Sequence, residues 1–275
     1  MRILIRTSKW AIWSRRVASI AVPLVVIPVF LHRQRLLTSD VFVDVAAVAG
    51  IVATLALLVS MTALARLWQT GDQGWGRAIS AFLLSLMCLV PFAYVGAQML
   101  RYPAVTDIAT TQRGALPLML DPGTIHMPPP KLLTAEQLET EFPNIKTRAY
   151  PLNLQQTYLI VLHMVEAHGW DITLQRDPTA ALDPGEINAD VVSLLGWRDE
   201  VVLRVTGDAQ SAVVDMRSAS LNAEHDLGSN GPRIEQFLTQ LDDEVTNMLR
   251  DNPNANQPAD AEPDPAAPDA ADPKP

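Results

Sequence analysis

Apolar residues are spread unevenly along this chain. Three long runs lie before position 102, and only short, interrupted runs follow. Val17 to Leu31 carries no charge. It is short for a hydrocarbon core of about 30 Å, which needs roughly 20 residues, so the first span is drawn over about 17–36 with its flank. Trp10 and Trp13 precede it as interfacial anchors, and Pro23 and Pro28 would kink it. A cleaved signal peptide shares the basic start and apolar middle. No small-x-small cleavage pattern precedes His32-Arg33-Gln34-Arg35, so a retained helix is expected. The second span is 41–67. Ala46, Gly50 and Thr54 recur there every four residues, as a face for close helix approach would. Asp44 is its one acid: either a proton or ion site, or, more simply, an interfacial residue that reaches water. The third span, 78–100, contains Pro91 and Gly96, with Tyr94 and Tyr102 suited to an interface.

After position 102 the periods shorten. Residues 102–151 are proline-rich and read as irregular, apart from a short helix over 134–141 that Thr134 and Gln137 would cap. Residues 153–168 predict an amphipathic helix, capped by Asn153 with Gln156 and stopped by Gly169. Its apolar face is Leu154, Tyr158, Val161, Leu162 and Val165. His163 and His168 lie five apart, off a common face, and read as surface residues rather than a metal pair. Four strands are expected at 171–175, 186–195, 200–206 and 211–218, with connections too short for parallel crossovers. A last helix over 232–250 carries the stripe Ile234, Phe237, Leu238, Leu241, Val245, Met248 and Leu249, with Ser229 or Asn230 as its cap. Residues 251–275 are Pro/Ala/Asp-rich and should be disordered. The expected architecture is thus a membrane domain of three transmembrane helices over 1–102 and an α+β domain over 103–250. In the latter, two helices pack on a four-stranded antiparallel sheet.

Charge sharpens this division. Residues 1–102 hold ten Lys/Arg against three Asp/Glu, a balance of +7, and residues 103–275 hold eleven against twenty-seven, a balance of −16. The acidic half excludes nucleic acid as a partner. The N-terminal tail and the 66–77 loop carry seven basic residues, and the 32–40 loop carries two. By the positive-inside rule the N-terminus is cytoplasmic and everything after Arg101 lies outside, in a periplasm if the cell has one. Cys88 is the single cysteine, so no intrachain disulfide exists. No metal or cofactor motif is present, and the lipid bilayer is the one partner that composition implies.

The densest polar chemistry lies in the stretch Ser211–Arg233, where a strand, a polar loop and a helix start meet. Val214-Asp215-Met216-Arg217-Ser218-Ala219-Ser220, Asp226-Leu227-Gly228, Asn230 and Arg233-Ile234 form a set. With Gly169-Trp170 and Asp107-Ile108-Ala109-Thr110, this set resembles a bacterial membrane-protein family known as domain of unknown function 1499, over roughly residues 103–250. The family pattern usually has arginine where this chain has Leu221, and often glycine where it has Ala223. The resemblance implies fold and location, a bacterial inner membrane with the C-terminal domain periplasmic; it names no activity.

Two readings of this stretch compete. Arg204, Asp215, Arg217, Ser218, Ser220, Asp226, Asn230 and Arg233 could bind a small anionic or polar ligand, the helix start supplying free N–H groups. They could equally form a self-satisfied structural network, with Asp215 and Asp226 pairing the arginines and Arg204 meeting Asp215 or Arg217 on a polar face. The structural reading asks less of the sequence. A hydrolase using Ser218 or Ser220 with His225 and Asp226 is the enzymatic alternative, although no nucleophile elbow is present. An envelope protein partner is the remaining class.

Overall fold

The computed structural model describes residues 7–119, 127–179 and 183–252. Three helices open the chain: α1 (Lys9–Arg33), α2 (Ser39–Thr70) and α3 (Trp75–Arg101). All three are long and apolar enough to cross a membrane. Helix α1 begins eight residues before Val17, because the uncharged run extends by helical residues that carry its basic and Trp side chains. The three helices pack along a seam of small residues spaced alternately three and four apart. It comprises Ala11, Ser14, Ala18 and Ala21 on α1, Ala49, Ala53, Ala56, Ser60 and Ala63 on α2, and Ala78, Ala81, Ser85 and Cys88 on α3. Small side chains let the backbones approach, which is how helices associate where burial from water drives nothing. The expected four-residue face is not this seam. Steps of four drift around a 3.6-residue turn, so Gly50 sits at its edge, while Ala46 lies on its spacing beyond Ala49. Thr54 faces outward and donates to its own helix at Gly50 O (2.8 Å).

The α+β domain follows. Strands β3 (Asp171–Arg176), β4 (Gly185–Val192), β5 (Arg198–Gly207) and β6 (Ala212–Ser220) form the expected antiparallel meander. The sheet has six strands rather than four. β1 (Asp107–Ala109) and β2 (Arg148–Tyr150) each add three residues to the open edge of β6. Three residues among prolines carry no readable alternation, so these strands escape a pattern search. Together they cover an edge that would otherwise offer unpaired N–H and C=O groups. Strand β6 also runs two residues beyond its expected end, because β1 and β5 both pair with Ala219, and Ser220 pairs with Asp199 of β5 while its N–H donates to Thr106 O at 2.8 Å.

Helix α4 (Ala135–Glu141) has the expected capping box, Thr134 and Gln137 bonding reciprocally at 3.0 and 3.2 Å. Asn153 caps α5 (Leu154–Ala167) through Gln156 N–H at 2.8 Å. Helices α5 and α6 (Asn230–Asp251) lie on one sheet face. Tyr158, Val161 and Val165, with Ile234, Phe237, Leu238 and Leu241, meet Ile187, Val201, Leu203, Val214 and Met216 in one core. The expected tail disorder concerns residues that lie, from 253 on, outside the described ones.

The domain sits directly on the C-terminal end of α1 and the start of α2. His32 is buried there; its Nδ1 lies 2.9 Å from Leu195 O and its Nε2 3.2 Å from Ser39 Oγ. Its ring stacks on Phe42 at 4.4 Å, and Trp197 closes edge-on against both rings. Arg33 donates to Ser193 O (2.8 Å) and Leu194 O (3.1 Å), and Arg35 pairs with Asp190 at 3.5 Å. On the other side Gln98 donates to Leu227 O at 3.2 Å. The turn between β4 and β5 reaches this clasp only because of Gly196, whose φ is +92°. A Cβ there would sit 2.8 Å from His32 Nδ1 and 2.9 Å from Arg33 N.

Gly196→Ala should therefore loosen the clasp. A left-handed position costs an L-residue about 1–2 kcal/mol before any clash, so amide exchange at 193–197 and 31–36 should speed up roughly tenfold or more. Unchanged protection in the variant would show that the domain does not depend on this contact.

Candidate functional site

Alternation along β6 sends its polar residues to opposite faces of the sheet. Asp215 and Arg217 point away from α5 and α6, whereas Ser218 and Ser220 both point toward α6. The eight expected site residues thus split into two clusters rather than one.

On the outer face, Arg217 is the centre. Its Nε and NH2 donate to the two oxygens of Asp107 at 3.0 and 2.8 Å, and its NH1 donates to Leu116 O at 2.7 Å. Arg113 adds a second cation to Asp107 at 3.0 Å. The partner of Arg217 is therefore Asp107, on β1, and not Asp215. The carboxylate of Asp215 instead accepts from Thr110 (2.9 Å) and from Thr147. Arg204 faces Asp215 across the strands but donates to Ala115 O at 3.2 Å, and its buried Nε has no partner among the described residues. The segment 110–119 thus covers this face, where Leu116 packs on Val202 and Ala109. Glu200 is buried beneath it, accepting from Asn188 Nδ2 (2.7 Å) and Met119 N–H (2.6 Å). Burial pushes the Glu200 carboxyl above its usual range against those two bonds.

On the helix face, Ser218 Oγ donates to Asn230 Oδ1 (2.7 Å) and accepts from Arg233 (2.7 Å). Ser220 Oγ donates to Asp199 (2.6 Å) and accepts from Asn230 Nδ2 (3.1 Å). Arg233 pairs with Asp199 at 2.7 Å, not with Asp226. Asp199, which sequence reasoning missed, sits opposite Ser220 in the β5–β6 register. The α6 start is occupied from within. Ser229 makes no side-chain cap; Asp226 accepts from Asn230 N–H (3.1 Å) and Gly228 N–H (2.9 Å) instead. Desolvation raises the Asp226 carboxyl above its usual range, and these two N–H bonds oppose the rise.

Neither serine bonds an imidazole among the described residues. His225 Nδ1 accepts from Leu227 N–H at 2.9 Å. That nitrogen then carries no proton for Asp226, 3.6 Å away, so the dyad a hydrolase needs is absent from this geometry. Leu221 and Ala223, which stand where the family pattern differs, are both buried.

Two variants test these clusters. Arg217→Met should cost about 3–5 kcal/mol by stranding the buried Asp107 carboxylate, whereas Arg113→Met, at a half-exposed cation, should cost about 1 kcal/mol or less. Chemical unfolding of the full-length protein reads both, and equal losses would remove Arg217 from the centre of the cluster. For Glu200 the sign follows from its raised native pKa. The folded state holds a proton the unfolded state releases, so stability present below the unfolded value of about 4.3 is lost as pH rises through the native value. Glu200→Gln keeps an acceptor oxygen and removes the charge. Its melting temperature relative to the native protein should rise from pH 4 to pH 8; a difference that is flat or falling over that range contradicts the assignment.

Residues 124–241 match the family model described as Protein of unknown function (DUF1499). The match holds α4, β2, α5, the β3–β6 meander and the first half of α6, and leaves out β1 and the three apolar helices. No curated protein matches the chain, and no solved structure does. The segment that builds the meander and the helix-face cluster thus resembles the domain of unknown function 1499 family, while Asp107, Thr110, Arg113 and Leu116, which complete the cluster around Arg217, lie outside the match.

Proposed function

We propose that the protein is a multi-pass protein of a bacterial inner membrane, with a cytoplasmic N-terminus, that displays its α+β domain in the periplasm. There the domain serves as a structural or partner-binding module of the envelope rather than as an enzyme. The observation that carries this reading is the opposition of the two helix ends. Ser8 N–H donates to Gln73 O at 3.0 Å, so the start of α1 lies beside the α2–α3 loop. Trp10, Trp13, Trp68 and Trp75 gather at that end, where Arg66 lies 5.0 Å over Trp10 and Arg16 lies 5.3 Å over Trp13. Tryptophans mark a membrane–water boundary on either side, and the clustered basic residues favour the cytoplasmic one. The acidic domain is clasped to the opposite end.

Arg204, Asp215, Arg217, Ser218, Ser220, Asp226, Asn230 and Arg233 then act as the scaffold that holds β1, the 110–119 segment and α6 to the sheet. The chain's own carboxylates, Asp107, Asp199 and Asp226, occupy the positions where an anionic ligand would sit. A hydrolase reading has no observation in its favour, since both serine hydroxyls are buried and engaged.

Single cysteines test the orientation in a Cys88→Ser background. Glu166→Cys, on the exposed face of α5, should react with a membrane-impermeant maleimide in intact spheroplasts. Gln69→Cys, at the far end of α2, should react only after permeabilisation. The reverse labelling pattern would invert the topology.

A further inference from the structure

Toward the domain the small-residue seam ends. Continuing its three-and-four spacing, the next positions are Val25 and Pro28 on α1, Ala46 and Phe42 on α2, and Phe92 and Val95 on α3. All six line a cavity of about 630 Å³ that opens where the larger side chains begin. Phe92 packs against α2 where Gly50 leaves it room; a Cβ there would be 3.2 Å from the ring. Trp197, Ala223 and Leu227 of the domain roof the cavity. The volume falls within the roughly 300–1,000 Å³ of small-molecule sites.

The lining is polarised along the helix axis. Its deep part is apolar, and its polar groups, among them Asp40, Asp44, Glu224 and His225, collect at the domain end. No Lys or Arg is among the lining residues. Glu224 has Lys131 at 3.5 Å, but Asp40 and Asp44, one helical turn apart on α2, have no hydrogen bond or ion pair among the described residues. Both acids are exposed at the start of α2, Asp40 in its first turn, so they set uncompensated negative charge at the mouth of the cavity. The sides of the cavity give on to lipid: a second, apolar groove of about 490 Å³ between α1 and α2 shares Leu24 and Pro28 with it. This groove gives an acyl chain a lateral route into the cavity.

We propose that this cavity binds an amine-headed lipid from the leaflet facing the domain. One acyl chain lies between the three helices, and the ammonium lies between Asp40 and Asp44 beneath Trp197. Carboxylates without a basic neighbour attract an ammonium and repel an anionic headgroup. The inference depends on the helices lying in a bilayer, but not on which side of the membrane the domain faces, so it survives a reversed topology.

Full-length protein in proteoliposomes tests it, with phosphatidylethanolamine or phosphatidylglycerol probes bearing a diazirine in one chain. After illumination, adducts of the amine-headed probe should concentrate on Ala46, Phe92 and Val95, at least about threefold over the anionic probe. Asp44→Asn should abolish that preference. Ala46→Phe, which fills the cavity without touching the acids, should remove the adducts of both probes from Phe92 and Val95. Equal labelling by the two headgroups, or a preference unchanged in Asp44→Asn, overturns the headgroup assignment. Absence of adducts from the cavity in the native protein, or adducts unaffected by Ala46→Phe, overturns the site itself.

Discussion

Strand β6 is covered on both faces, and that constraint organises the domain. Each polar side chain it carries must find its partner inside the protein, because burying an unpaired group costs more than a made hydrogen bond returns. On the outer face this requirement draws in Asp107 and, with it, the three-residue strand β1. On the helix face it draws in Asp199, Asn230 and Arg233, which fixes the start of α6. The buried bidentate pair and the serine–asparagine chain therefore do the same work from opposite sides: they tie segments distant in sequence to one strand.

The same economy explains why the stretch with the richest chemistry leaves only a small open pocket, about 290 Å³ beside Arg233 and Ser229. Its donors and acceptors are matched to one another, and the helix start that could have held an anion is held by Asp226. A larger open volume lies elsewhere, where the tight alanine seam gives way to larger residues under the domain. The clasp of His32, Phe42 and Trp197 joins the two halves at that level, so the cavity exists only with both in place.

Much of this was legible beforehand. The three apolar helices, the meander, the caps at Thr134 and Asn153 and the stripe on α6 follow from periodicity and local hydrogen bonding, both written within a few residues. The polar face shared by Arg204, Asp215 and Arg217 also follows from a period of two. So does the separation of Arg217 from Ser218 and Ser220, had the alternation been carried two residues further along the strand. The pairing of Arg217 with Asp107 and of Arg233 with Asp199 was not legible. Asp107 lies 110 positions from its partner, and nothing local distinguishes it from a solvated acid. Strands β1 and β2 were hidden for a related reason: three residues show no period, and they are strands only because β6 offers them an edge.

By itself, then, the sequence determined what depends on near neighbours: which segments are apolar enough for lipid, which are helices, which strands follow one another, and how charge divides the chain. Tertiary structure alone decided what depends on distant ones. It chose the partner of each buried charge, gave the sheet its two extra strands and seated the domain on His32 and Phe42. It also left Asp40 and Asp44 facing an apolar cavity. Local pattern sets the direction a side chain points; only the assembled chain sets what it meets there.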